Sequence, residues 1–87
     1  MPEYLLELYV ARADAAAVEQ GAERVRRAAE EYSREGTPVR YLRSIFVPDD
    51  ETCFLIFEAP SADAVREVAR RAALAFDHVA AAIETAS

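Results

Sequence analysis

His78 is the single imidazole of the chain, and imidazole is a common nitrogen ligand of divalent transition-metal ions. Asp77 beside it supplies a carboxylate oxygen. Neighbouring side chains on a strand point to opposite faces, so these two chelate one ion only where the backbone bends. A second polar set is Glu7, Tyr9, Tyr41 and Arg43. Glu7 and Tyr9 share one face of one alternating segment, and Tyr41 and Arg43 share one face of another. If those faces coincide, they frame a cleft with an acid, a cation and two phenols. Arg43 would pair a carboxylate of a small organic ligand there, and Glu7 would accept a proton. The competing reading is a Glu7–Arg43 salt bridge at a dimer interface. Asp49, Asp50 and Glu51 form an acidic run that suits loose oxygen coordination of a hard cation or simply a soluble turn. Cys53 lies among Phe and Leu with no histidine near it in sequence, a setting in which a thiol is ordinarily buried and inert.

The elements that must position these groups follow from periodicity. Tyr4–Ala11 alternates as a first strand, with Tyr4, Leu6, Leu8 and Val10 on one face. Asp14 offers an N-cap oxygen to a helix running from Ala15 to about Glu35. Val18, Ala22, Val25, Ala29 and Tyr32 make its apolar stripe. Glu23/Arg27, Arg27/Glu31 and Glu30/Arg34 lie on the opposite, solvated face. Gly36 ends the helix in the left-handed region and Pro38 keeps it from resuming. Val39–Val47 and Thr52–Glu58 read as a second and third strand joined by the Pro48–Glu51 turn. Pro60 ends the third strand, and Ser61 caps a second helix to about Leu74, with Val65, Val68, Ala69 and Ala72 buried. Ala75–Asp77 is a link, and His78–Ile83 is the final strand. This order is βαββαβ, the ferredoxin-like arrangement of an α+β sandwich with a four-stranded antiparallel sheet and two helices on one face.

Composition excludes several function classes. At 87 residues the chain is long enough for one domain, spanning 1–87. The net charge is −6 and all ten basic residues are arginine. Such acidity repels phosphate backbones, so no nucleic-acid partner is expected. The aromatic pattern of RNA-reading sheets is also missing from Thr52–Glu58. A single cysteine rules out an internal disulfide framework and suits a reducing cytoplasm. Met1-Pro2-Glu3 lacks the cationic start of a secretory signal, and no apolar run approaches the ~20 residues that span a bilayer, so no membrane partner is expected. There is no Gly-rich phosphate loop, paired-histidine motif, nucleophile elbow or CxxC, and no catalytic residue is assigned.

Both faces of the expected sheet carry apolar side chains. Cys53, Leu55 and Phe57 lie on one face of the third strand, with Phe54 and Ile56 on the other. In the second strand the same alternation puts Leu42 and Phe46 on one face, opposite Tyr41, Ile45 and Val47. Two helices cover one face, so the other is expected to meet a second copy of the chain in a homodimer.

Several segments together resemble a family of small bacterial ferredoxin-like proteins, some of them described as nickel-binding. They are Arg40-Tyr41-Leu42-Arg43-Ser44, Asp50-Glu51-Thr52-Cys53-Phe54, Phe57-Glu58-Ala59-Pro60, and Val65-Arg66-Glu67 with Ala69-Arg70-Arg71-Ala72. The chain departs from that family in having Ala75 where a proline is common and His78 where an arginine is common. The resemblance implies a small non-catalytic binding protein with Ni2+ as a candidate ion. On this chain the ion would be held at the surface by His78, Asp77 and further carboxylates. An enzyme or organic-ligand binder using Glu7, Tyr9, Tyr41 and Arg43 is the alternative, and a purely structural interaction module is a third.

Overall fold

Alternating side chains decide which face of the sheet the helices cover. In the computed structural model, which describes residues 1–83 and 85, β1 (Glu3–Tyr9) is followed by α1 (Ala15–Arg34) and β2 (Arg40–Val47). A 3-10 turn over Pro48–Asp50 leads to β3 (Thr52–Glu58), α2 (Ala62–Arg71) and β4 (His78–Ala82). The strands lie in the order β2-β3-β1-β4 with every neighbouring pair antiparallel. The topology is the expected ferredoxin-like one. Each helical crossover skips one strand position, and the skipped positions are filled by β3 and β1.

Leu6, Leu8, Cys53, Leu55, Phe57 and Val79 face the helices and pack with Val25, Ala28 and Ala29 of α1 and with Val65, Val68 and Ala69 of α2. Phe57, Leu6, Leu55, Val25 and Val65 are fully buried, each contributing about 1.5–3 kcal/mol by leaving water. The small alanines in both helix stripes let the helices lie close to the sheet.

The helix ends differ in how their free backbone groups are satisfied. Ser61 caps α2 as expected, its hydroxyl accepting from the Ala64 N–H at 3.1 Å. Asp14 precedes α1 without a side-chain cap bond; its backbone carbonyl accepts from the Ala17 N–H at 3.0 Å instead. Gly36 has φ of 115°, the left-handed conformation expected of it. Ser33 ties that helix end to the sheet, its hydroxyl donating to the Val39 carbonyl and accepting from the Val39 N–H, both at 3.0 Å. The second helix stops at Arg71, short of Leu74, because Ala73 turns left-handed with φ of 54°. The Leu74 N–H then reaches the Ala69 carbonyl at 2.9 Å and the Ala73 N–H the Arg70 carbonyl at 3.1 Å, the paired bonds of a Schellman ending.

β2 carries the largest departure from simple alternation. Its register against β3 shifts between Tyr41 and Arg43, leaving Leu42 as an extra residue in a bulge. Tyr41 pairs with Phe57, whereas Arg43 pairs with Ile56. Tyr41, Ser44 and Phe46 therefore face the helices, while Arg43, Ile45 and Val47 face away.

Arg71 fastens the two helices together. It donates to Glu35 of the α1 C-cap at 2.7 and 2.8 Å, to Glu31 at 3.1 Å and to Glu67 at 2.8 Å, and its guanidinium lies 4.5 Å from the Tyr32 ring centroid. Hydrogen bonds from Arg70 and Arg71 hold the Glu67 carboxyl down to about 2, and the bond from Arg71 lowers that of Glu35. A carboxyl depressed from its ordinary 4.5 adds stability that is complete above that value and vanishes as pH falls through the folded-state value. Glu67→Gln should therefore have a lower urea midpoint than the wild type at pH 7, with the gap closing between about pH 4.5 and pH 2. A gap independent of pH would contradict this. Ala73→Gly, which relieves the left-handed alanine, should raise stability by about 0.5–1 kcal/mol in the same assay.

Candidate functional site

β4 enters the sheet through a backbone bond, the Asp77 N–H donating to the Glu7 carbonyl at 2.8 Å. This sets His78 directly opposite Glu7 in the β1–β4 register. Residues 5, 7 and 9 of β1 lie on the face opposite Leu6 and Leu8, so Glu7 and His78 share the face that no helix covers. His78 Nε2 stands 3.9 Å from Glu7 Oε1, with the imidazole about half exposed and the carboxylate about a third exposed. Two ligand atoms on one ion, each bonded at about 2.1 Å, stand roughly 3.0 Å apart at a right angle and roughly 3.4 Å apart at the tetrahedral angle. The pair thus has the chemistry and access of two metal ligands, and would have to close by about 0.5 Å or more to hold one ion.

Asp77, the expected companion of His78, does not share this arrangement. Strand alternation separates the two side chains, and the Asp77 side chain is exposed. Glu7 takes the place beside His78. Among the described residues, no three His, Cys, Asp or Glu side chains gather closely enough to hold a metal ion.

The four-residue cleft does not assemble. The bulge at Leu42 turns Tyr41 to the helix side, where its ring meets Phe57 edge-on at 5.8 Å, Arg26 lies over it at 5.6 Å and its hydroxyl bonds Ser44. Glu7, Tyr9 and Arg43 do share the open face, at separate places. Tyr9 is at the end of β1, its hydroxyl donating to Glu51 at 3.4 Å. Arg43 pairs across β2–β3 with Ile56, one strand away from Leu5. It makes no ion pair among the described residues, and the expected Glu7–Arg43 bridge does not form within the chain. Beside it a shallow hollow of about 330 Å3 is lined by Glu3, Arg43, Ile56, Ala82 and Ile83.

Two acids of the turn, Asp49 and Glu51, face Tyr9 and Arg12 at the end of β1 and just beyond it. Glu51 is left-handed with φ of 49°, and its carboxylate accepts from the Arg12 N–H at 2.8 Å as well as from Tyr9. Asp49 stands 3.9 Å from Arg12. Cys53 is 1% exposed in the core, where desolvation raises its pKa.

A family model described as "Nickel responsive protein SCO4226-like" matches residues 7–81. The chain belongs to that family. The matched span begins at Glu7 and contains His78, so both members of the open-face pair lie inside it. The fold is shared with the crystal structure of SCO4226 from Streptomyces coelicolor A3(2), at a TM-score of 0.74 and 21% identity over 97% of this chain and 99% of that one. No curated protein matches the chain.

The SCO4226-like domain thus carries its one thiol in the core and its one imidazole on the open face. A thiol reagent such as dithiobis(nitrobenzoate) should leave Cys53 unmodified in the native protein and react promptly in denaturant. Prompt reaction of the native protein would place the thiol elsewhere.

Proposed function

We propose that this chain is a small, non-catalytic, homodimeric binding protein that takes a divalent metal, nickel before others, at its surface. The observation that carries the reading is the His78–Glu7 pair, 3.9 Å apart on the uncovered sheet face, in a family described as nickel responsive. Imidazole nitrogen with carboxylate oxygen is a donor set that nickel accepts. Asp77 is close enough in sequence to add an outer carboxylate but is not aligned with the pair. The homodimer is supported by the exposed or half-buried Leu5, Tyr9, Ile45 and Phe54 that the helices leave open.

A second reading is favoured by Arg43. A guanidinium with no ion pair among the described residues, beside the hollow lined by Glu3 and Ile56, is suited to the carboxylate of a small organic ligand. It uses Arg43 without Tyr41.

No helix of the described residues is long and apolar enough to cross a membrane, and a cytoplasmic location accords with the buried free thiol.

Calorimetric titration of the tag-free protein should show saturable nickel binding that exceeds zinc, lost in His78→Ala and weakened in Glu7→Gln. Unchanged binding by His78→Ala would reject the site.

A further inference from the structure

A hollow of about 330 Å3 opens where the end of β1, the first half of α1 and the link from α2 to β4 meet. That volume lies within the ~300–1,000 Å3 typical of small-molecule sites. Its lining includes neither His78 nor Glu7. The floor is apolar, built from the buried Leu8 and Val10 with Ala17 and Leu74 partly buried beside them. Leu74 is held there from two sides. Its N–H bonds the Ala69 carbonyl in the Schellman ending. Gly21 leaves it room against α1, where a β-carbon would already meet Leu74 Cδ1 at 3.5 Å.

Asp14, Gln20 and Arg24 rim this floor from the α1 side. Arg24 Nε donates to the Ala72 carbonyl at 3.1 Å, which fixes the guanidinium at the mouth. Its two terminal nitrogens make no hydrogen bond or ion pair among the described residues. The hollow between the helices differs, because its Arg27 and Arg71 are already engaged by Glu23, Glu31, Glu35 and Glu67. We propose that the hollow at the β1 end binds a small organic monocarboxylate with an apolar tail. The carboxylate lies on the terminal nitrogens of Arg24, and the tail covers Leu8, Val10 and Leu74. Asp14 sets the polarity of the site. It stands ten residues before Arg24, roughly 15 Å along the helix axis, and its carboxylate makes no cap bond. A ligand end that approaches it within the Debye length of ~8 Å meets a like charge if it is a second carboxylate. An uncharged tail is therefore preferred there. The site is separate from both open-face readings above and depends on neither.

Amide chemical-shift titration of the tag-free, isotope-labelled full chain with sodium octanoate tests this, with octanedioate as comparator. The expected result is saturable shifts centred on Leu8, Val10, Ala17, Gln20 and Leu74, with a Kd of roughly 1 mM for a ligand of this size. Octanedioate should bind about fivefold more weakly or worse. Arg24→Gln should weaken octanoate by about tenfold. Ala17→Leu, which fills the floor and leaves Arg24 in place, should weaken it by a similar factor. Should Arg24→Gln fail to fold, Ala17→Leu decides the matter. Wild-type affinity in either folded variant would overturn the proposal. So would equal binding of octanedioate, shifts centred on Leu5, Ile45 and Phe54 of the open face, or no saturable shift at all.

Discussion

A sheet with apolar side chains on both faces and helices on one is the constraint from which the rest of this structure follows. Phe57, Leu55 and Leu6 are sealed beneath α1 and α2, and their burial supplies most of what holds an 87-residue chain together. Phe54, Leu5 and Ile45 are set against no helix. A domain this small has too little chain to add a second helical layer. Its uncovered face carries apolar and polar side chains together, Leu5, Ile45 and Phe54 beside Glu7, Arg43 and His78.

Polar contacts at their ends tie the two helices to each other. Arg71 gathers Glu31 and Glu35 from one helix and Glu67 from its own, and stacks on Tyr32. The Schellman ending at Ala73 then directs the chain from α2 into β4. That route brings His78 opposite Glu7. A change in where α2 stops would slide β4 along β1, and a slip of one residue would carry His78 to the core face. The placement of His78 beside Glu7 on the open face thus depends on helix packing on the opposite one.

Element order and the buried stripes were legible in the sequence because both rest on local periodicity. The alternation of Leu6 with Leu8 and of Cys53, Leu55 and Phe57 predicts the core face correctly, as Val65, Val68 and Ala69 predict the helix stripe. Three things were not legible. The bulge at Leu42 reverses the faces of β2 up to Tyr41, and no turn residue marks it; Tyr41 therefore reads as a cleft residue when it is a packing one. Pairing between β1 and β4 is set by long-range register, so Asp77, adjacent in sequence, takes the place that Glu7 holds in space. The Arg71 knot was hidden for the same reason: Glu31 reads as a solvated helix charge until α2 lies beside it.

Paramagnetic line broadening by nickel in the amide spectrum of the isotope-labelled protein tests the central claim most directly. The account predicts that the first signals lost on substoichiometric addition are those of His78, Val79 and Glu7 and of Phe54 beside them, on the open face. Broadening centred on Asp49–Glu51 or on the carboxylates of α1, with the His78 signals intact, would contradict it.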